Sequence, residues 1–176
     1  MDTTTWLILL IIVITAIAVL YFIKAGKKDK PMKNNTTTNA NPVPSNPETL
    51  RLKLQAYERL TILTERIGLH NLISRFNNEG FSARQLQAAL VDAVKTEYEY
   101  NISQQIYVTP QIWDAINNLK EQNIFIVNQI TAALPTNASA MDLSKAIVQF
   151  LDTDANASLQ PVVLQAIGYE AKQLMQ

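Results

Sequence analysis

The sequence predicts an all-α protein: a single N-terminal transmembrane helix, a disordered tether, and a bundle of about five to six helices. Three observations support this fold class. An uncharged apolar run lies close to the N-terminus, a segment rich in Lys, Asn and Pro follows it, and in the rest of the chain apolar residues recur every three or four positions. The expected boundaries are residues 1–23 for the N-terminal tail and membrane helix, 24–48 for the tether, and 49–176 for the helical domain.

The apolar run Trp6–Ile23 has the length of a membrane-spanning helix. Its eighteen residues contain no charged side chain, and as a helix they span about 27 Å, close to the roughly 30 Å of a hydrocarbon core. Trp6 and Tyr21 fall near the two ends, where amphipathic rings favour the headgroup level. A cleaved signal peptide is the alternative, because residues 16–18 read Ala-Ile-Ala. The run has no Lys or Arg before it and continues beyond Ala18, so the transmembrane helix is favoured.

Five lysines directly after this run predict its orientation. Positively charged residues resist translocation, so the N-terminus is expected outside and the rest of the chain in the cytoplasm. A second interpretation is that the same side chains contact anionic lipid headgroups, at about 1 kcal/mol each. The residues concerned are Lys24, Lys27, Lys28, Lys30 and Lys33.

The tether, residues 24–48, has almost no apolar side chains to bury. Prolines, asparagines and three consecutive threonines dominate it, so ordering this segment would cost more conformational entropy than burial could offset. As a flexible coil, its 25 residues reach roughly 25 to 30 Å. The helical domain is therefore expected to move beneath the membrane while it stays attached.

Composition excludes several classes of site. The chain has no cysteine, which rules out disulfides and thiolate metal sites, and His70 is its one histidine. Residues 49–176 contain ten Lys and Arg against twelve Asp and Glu. This balance lacks the basic surface expected of a protein that binds nucleic acid, so no nucleic-acid partner is expected.

Residues 46–80 predict one long helix followed by a short one. Asn46 and Pro47 form a cap and first-turn pair, and Gly68 is a stop signal. A small apolar cluster after Gly68 predicts about one or two further turns, which Gly80 ends. The inward face of the long helix is expected at Leu50, Leu54, Tyr57, Leu60, Leu63 and Ile67.

A second long helix is predicted to begin at Ser82, which forms a Ser-x-x-Gln capping pattern with Gln85. Its apolar residues recur in steps of four, and such steps drift by about 40° each on an α-helix. We therefore expect the inward stripe to wind around the helix and to leave the polar residues Glu97, Asn101 and Gln104 at its edge. The stripe runs through Leu86, Leu90, Val94, Tyr98, Ile102 and Ile106.

Three more helices complete the predicted bundle. Thr109 and Pro110 begin the first, which continues to Pro135 and includes the apolar run 124–127, a segment that alone would resemble a strand. The last helix has Pro161 in its first turn, where a missing N–H costs little. The candidate N-caps of the two shorter helices are Asn137 or Ser139, and Asn156 or Ser158.

The stretch from Thr96 to Pro110 is polar and aromatic where a helix is predicted to end. Glu97 and Glu99 lie about 200° apart on a helix, so they cannot act together on one substrate. Two interpretations stay open: a rim that binds a protein partner, and a structural corner whose side chains hydrogen-bond the helix end. The candidate partner-binding rim is Glu97, Glu99, Tyr100, Asn101, Gln104, Gln105 and Tyr107.

Two other sequence features, a histidine and a pair of aspartates, do not predict a metal or catalytic site. His70 follows Gly68, where a histidine commonly hydrogen-bonds loop backbone or helix-end carbonyls, and no second histidine or cysteine could complete a metal site. Asp152 and Asp154 are spaced as in a calcium loop, but the Gly and the bidentate Glu of such a loop are missing. We expect no catalytic residues, no metal, no cofactor and no small-molecule substrate.

Two stretches, LKLQAYERLTILTERI at 52–67 and QLQAALVDAVKTEYEYNISQQIYVTPQIWDAINNLKEQ at 85–122, resemble an uncharacterised bacterial family. The ISQQIYVT neighbourhood is the most specific part, and the resemblance covers nearly the whole chain. It implies an N-terminal membrane helix, a variable polar tether and a helical domain, with no activity assigned. The expected location is therefore a bacterial inner membrane, crossed once, with the C-terminal domain in the cytoplasm.

The leading hypothesis is a non-enzymatic, membrane-anchored cytoplasmic module for interaction or scaffolding. It follows from a clear anchor and tether together with the lack of a catalytic motif. Two alternatives remain. One is a structural protein that self-associates through its amphipathic helices, and the other is an enzyme whose carboxylates and tyrosines meet from different helices.

Overall fold

Six α-helices and one 3₁₀ helix make up the computed structural model, which describes residues 46–76, 80–153 and 157–176. The described residues contain no strand and belong to one compact unit, Pro44–Gln176, which confirms the all-α class. The predicted membrane helix and nearly all of the tether lie outside them. Within the described part, no helix is both long enough and apolar enough to cross a membrane. The helices are α1 (Pro47–Ile67), α2 (Leu69–Ser74), α3 (Ala83–Tyr100), the 3₁₀ helix (Ile102–Ile106), α4 (Pro110–Ala133), α5 (Ala140–Thr153) and α6 (Gln160–Leu174).

The long helices begin at the predicted caps. The Asn46 side chain accepts a hydrogen bond of 3.0 Å from the backbone N–H two residues later. Ser82 and Gln85 form the reciprocal capping box at the start of α3. At α4, the Thr109 hydroxyl accepts from the N–H three residues later, at 3.3 Å. Each of these side chains satisfies a backbone donor that has no partner within its helix.

At the first of the two shorter helices the structure decides between the predicted caps. Ser139 caps α5, because its hydroxyl accepts from the N–H of Asp142 at 3.2 Å while the Asp142 carboxylate accepts from the Ser139 N–H at 2.9 Å. Near the start of α6, the Ser158 hydroxyl accepts from the N–H of Gln160 at 3.2 Å. Asn156, the other candidate at α6, lies outside the described residues.

The starts of α3 and α5 lie side by side. The N–H of Ala83 donates to the carbonyl of Ala138 at 2.9 Å, and the N–H of Ala140 donates to the carbonyl of Phe81 at the same distance. This short antiparallel bridge joins the two capped ends. It fixes where the two helices begin relative to each other.

The core lies where α1 packs on α6 and where α3 packs on α4 and α5. The predicted inward face of α1 is buried from Tyr57 to Ile67, whereas Leu50 and Leu54 in its first turns are half-buried. Full burial of a large apolar side chain is typically worth about 1.5 to 3 kcal/mol. The largest fully buried side chains are Leu60, Leu63, Ile67, Leu69, Leu72, Leu86, Leu90, Ile112, Ile116, Leu119, Leu143 and Ile147.

The predicted stripe on α3 is wrong at its C-terminal end. Ile102 is 46% exposed and Ile106 is 72% exposed, whereas Asn101 and Gln104 are buried. The chain changes there from an α-helix to a 3₁₀ helix, which has three residues per turn. Residues 101 and 104 therefore share one face, and Ile102 and Ile106 fall on the other two. The amides point inward and the isoleucines point to solvent.

The break between α1 and α2 is contacted from two other helices. From α4, the Asn123 side-chain amide donates to the Ile67 carbonyl at 2.8 Å. From α6, the Gln160 amide lies directly against Gly68, in the volume that a Cβ would occupy, and donates to Glu65 at 3.0 Å. The φ of Gly68, −56°, is open to any residue, so backbone conformation does not require glycine here. Glycine suits the position because the Gln160 side chain approaches too closely for a Cβ.

Candidate interaction surface

The structure divides the predicted partner-binding rim into a buried and an exposed part. Asn101 and Gln104 are 6% and 9% exposed, so they offer almost no surface to a partner. The remaining five residues reach the surface to different degrees. Glu99, Tyr100 and Gln105 are exposed, and Glu97 and Tyr107 are half-buried.

The two buried amides act within the fold. The Asn101 side-chain amide donates to the Glu97 carbonyl at 2.9 Å, which satisfies one of the carbonyl groups left without a partner at the end of α3. The Gln104 amide donates to the Ser103 hydroxyl at 3.2 Å. For these two residues the contacts favour the interpretation as a structural corner.

The C-terminal half of α1 lies beside the end of α3. Arg66 and Glu97 form an ion pair with 2.5 Å between Nε and Oε1. One helical turn before Arg66 comes Ile62, and one turn earlier the Arg59 guanidinium lies 5.9 Å from the centroid of the Tyr100 ring. Residues three and four apart share one face of a helix, so Ile62 lies between these two contacts on the same surface.

Four exposed apolar side chains lie on α1, α3 and the 3₁₀ helix, three elements that contact one another, and we call them the Ile106 patch. α1 contributes one of them, the end of α3 one, and the 3₁₀ helix, which also contacts α1, the other two. Contiguous apolar surface of a few hundred Å² on a soluble domain commonly marks an interaction site. The patch consists of Ile62 (51% exposed), Tyr100 (72%), Ile102 (46%) and Ile106 (72%).

Opposite charges flank the patch. Arg66 and Glu97 neutralise each other, and among the described residues neither Arg59 nor Glu99 forms an ion pair. Arg59 lies against the Tyr100 ring, a contact worth about 0.5 to 1 kcal/mol at an exposed site. The exposed carboxylates of Glu58 and Glu65, four residues before and three after Ile62, lie on the same face of α1.

Behind Tyr100, Tyr98 attaches α3 to α4. Its ring centroid lies 5.2 Å from that of Trp113, and the Lys120 ammonium lies 4.2 Å from the Tyr98 centroid. Tyr98 is half-buried, so of the three residues at the end of the predicted stripe it is the one that packs against the core. These contacts hold the helix end from which the patch projects.

A separate polar cluster joins three elements at the opposite side of α1. The Tyr57 hydroxyl donates to a Glu170 carboxylate oxygen at 2.8 Å. The Thr109 hydroxyl donates to the same carboxylate, with 2.8 and 2.9 Å to its two oxygens. Glu170 therefore connects α6 to α1 and to the N-cap of α4.

The protonation of Tyr57 argues for a structural role of this cluster. Burial, with smaller contributions from the hydrogen bond to Glu170 and from its negative charge, raises the pKa of Tyr57 from 10.0 to about 12. The phenol therefore stays protonated at neutral pH and acts as a hydrogen-bond donor. Tyr57 is 4% exposed and the carboxylate already accepts from two hydroxyls, which leaves little access for a substrate.

His70 lies on the surface near α5. Its Nε2 is 4.0 Å from Asp152 Oδ1, and both side chains are more than half exposed. Asp154 lies outside the described residues. Throughout the part of the chain that the structure describes, no three or more His, Cys, Asp or Glu side chains are grouped so that they could hold a metal ion.

Sequence reasoning missed both the cluster around Glu170 and the part of the patch on α1. Tyr57 and Glu170 are separated by 113 residues, so no local spacing connects them. Ile62 lies outside the inward stripe of α1, and this was the available signal: an apolar residue on a predicted polar face. The proximity of Ile62 to Tyr100 depends on how α1 and α3 pack, which the sequence pattern does not show.

Comparison with known proteins gives one family and nothing more specific. A model of a family of unknown function, DUF7935, matches residues 2–174. Neither the curated proteins nor the solved structures include a match. The resemblance to an uncharacterised family is confirmed, while its membrane and bacterial features stay predictions. Since the match covers almost the entire sequence, the chain belongs to DUF7935, a family of unknown function.

Proposed function

We propose that this chain is a membrane-anchored interaction module whose helical domain binds a protein partner through the Ile106 patch. The observation that supports this most is the exposure of four apolar side chains on adjoining elements while two neighbouring amides are buried. The proposed location is the cytoplasmic face of a bacterial inner membrane. Binding, rather than catalysis, is the proposed activity.

The energetics of the patch favour a partner. Apolar surface left in water forgoes about 25 cal/mol per Å², so these side chains contribute to stability mainly when another surface covers them. Tyrosine and arginine are the residue types most often found at the centre of protein interfaces. Tyr100 and Arg59 already lie against each other, which lowers the entropy lost when a partner orders them.

The predicted anchor would keep the helical domain attached to the membrane through the tether. Ile62 is fifteen residues beyond Pro47, so the patch begins about 22 Å along α1 from the end of the tether. The predicted tether reaches a similar distance. In this arrangement Trp6–Ile23 spans the bilayer, and the lysines of residues 24–33 set the orientation and contact anionic headgroups.

Site-specific photo-crosslinking of the full-length chain in its native membranes tests the proposal. Tyr100 would be replaced by a benzophenone-bearing phenylalanine analogue, and we expect irradiation to give a discrete crosslinked product. Tyr169, which is 65% exposed on α6, is the matched control position and should give little product.

A second variant separates specific capture from chance collision. Ile106→Asp places a charge in the patch without touching Tyr100, and it should abolish the Tyr100 product while the domain keeps its helical content. Equal products from Tyr100 and Tyr169, or a Tyr100 product insensitive to Ile106→Asp, would show that this patch binds no specific partner.

The proposed location has its own test. A reporter enzyme that is active only outside the cytoplasm, fused after Gln176, should remain inactive, while a reporter active only in the cytoplasm should work at the same position. The physical reason is the positive charge of the five lysines after Ile23. The reverse result would contradict the orientation and leave the patch on the other side of the membrane.

A further inference from the structure

We infer that the break after Ile67 is a hinge with two positions. In one position α2 packs on the domain, as the structure shows it, and in the other α2 continues α1 as a single helix. The buried amide of Asn123 holds the packed position. This inference concerns a movement within the domain, and it does not depend on whether the Ile106 patch binds a partner.

The two positions differ in one backbone dihedral. Gly68 has a φ of −56° and a ψ of 128°, whereas an α-helix has values of about −63° and −42°. The φ of Gly68 is therefore already helical, and rotation about its ψ joins the two helices. Helical hydrogen bonds are present on both sides of this dihedral. The Gly68 N–H donates to the Thr64 carbonyl at 3.2 Å, and the Leu72 N–H donates to the Gly68 carbonyl at 2.8 Å.

Side chains replace the backbone donors that a single helix would use. In such a helix the carbonyls of residues 65–67 would accept from the backbone N–H groups of residues 69–71. In the packed position the side chains of Asn71 and Arg75 donate to the first two of these carbonyls. The side-chain amide of Asn123 donates to the third at 2.8 Å. Each of the three carbonyls therefore has a donor in either position.

Asn123 is the one of these three donors that does not move with α2. It belongs to α4 and is fully buried, whereas Asn71 and Arg75 are exposed. Its bond to the Ile67 carbonyl leaves the other side-chain atom, Oδ1, without a partner among the described residues. When α2 moves, this carbonyl passes to a backbone donor and the whole buried amide is unpaired, which is unfavourable. Asn123 therefore favours the packed position, as does the burial of Leu72.

The spacing of apolar residues supports the second position independently. Ile62, Leu69 and Ile73 are separated by seven and four residues, which places them on one face of a single helix. In the packed position they are divided, because Ile62 is 51% exposed while Leu69 is buried. Movement of α2 would therefore extend the exposed apolar face of α1 without unwinding either helix.

Thiol labelling of the full-length chain in its membranes measures the movement. The chain has no cysteine, so Leu72→Cys places a single thiol on the buried face of α2, and its labelling rate reports how often that face is exposed. Adding Asn123→Leu removes the donor to the Ile67 carbonyl, and we expect labelling to become about tenfold faster. Thr131→Val removes a buried hydroxyl that bonds within the same helix, and this matched control should leave the rate unchanged. An equal rate with and without Asn123→Leu would show that Asn123 does not hold α2.

Amide hydrogen exchange distinguishes a moving helix from one that unfolds. The N–H of residue 72 bonds to the Gly68 carbonyl in both positions, so its exchange rate should not change in Asn123→Leu. If amide exchange accelerates together with thiol labelling, α2 unwinds and the hinge is wrong.

A thiol in another part of the core completes the test. Leu90 is fully buried on α3, and Leu90→Cys should label at the same slow rate with and without Asn123→Leu. Faster labelling there would show that the substitution loosens the whole core, and this result would also overturn the hinge.

Discussion

Leu90→Ala should lower the free energy of unfolding by about 2 to 5 kcal/mol, whereas Ile102→Ala should change it by less than about 0.5 kcal/mol. Leu90 is fully buried where α3 packs on its neighbours, so truncation leaves a cavity in the core. Ile102 is nearly half exposed on the 3₁₀ helix and has little packing to lose. The inward stripe predicted from four-residue spacing would give Ile102→Ala a cost close to that of Leu90→Ala.

Urea denaturation of the domain comprising residues 46–176 measures this difference, with values taken in the low-concentration limit so that self-association does not contribute. Asn101→Ala is the informative companion variant. It removes the amide that satisfies the Glu97 carbonyl, and we expect a loss of about 1 to 3 kcal/mol. If Asn101→Ala leaves the free energy of unfolding unchanged while Ile102→Ala lowers it, the predicted inward stripe is correct and the 3₁₀ geometry is wrong.

Tyr57→Phe should destabilise the domain by about 1.5 to 3 kcal/mol, the usual range for a hydrogen bond to a charged group. The substitution keeps the buried ring and removes only the hydroxyl that donates to Glu170. Thr109 would then be the remaining side-chain donor to that carboxylate in the cluster. Tyr169→Phe, at an exposed position on α6, is the matched control and should be neutral. If Tyr57→Phe and the unmodified domain have the same melting temperature, the cluster has no structural role.

Alkaline pH tests the burial of the Tyr57 hydroxyl and its contact with Glu170 together. The pKa of Tyr57 is about 12 in the folded domain against 10.0 for an ordinary tyrosine, so the folded state retains the proton more strongly. The resulting stabilisation, about 1 to 3 kcal/mol, is fully present below pH 10 and is lost as the pH rises through 12. The difference in unfolding free energy between the unmodified domain and Tyr57→Phe should therefore shrink over this window. A difference that stays constant from pH 9 to pH 12 would contradict the raised pKa.

Helix starts and breaks could be predicted because their causes are local. Asn46, Ser82 and Thr109 each bond a backbone N–H within three residues, so the cap and the helix it begins are read from one short segment. The Gly68 break is also found, although the reason for glycine there is not local: the Gln160 amide arrives from the other end of the domain.

The surface was harder to predict because it depends on a change of helical period. With 3.6 residues per turn, Ile102 and Ile106 extend an apolar stripe, and with three per turn they leave it. Nothing in ISQQI distinguishes the two periods, and the apolar residues themselves favoured the wrong one. Glu99, Tyr100 and Gln105, the exposed residues of the predicted rim, were singled out by the unusual composition of their segment, whereas Ile62 comes near the end of α3 only through the packing of α1 on α3.

The pairing of α1 with α6 affects the order in which the protein can fold during synthesis. α1 is the first helix of the domain to leave the ribosome, and α6 ends at Leu174, two residues before the C-terminus. The contacts between them span 113 residues at Tyr57 and Glu170, so the part of α1 that α6 covers stays exposed until α6 has been synthesised. Until then this surface is open to a chaperone, whose binding would prevent aggregation. Packing of α6 is the last step in forming the core. A premature stop codon before residue 160 would therefore leave a chain that cannot complete its core.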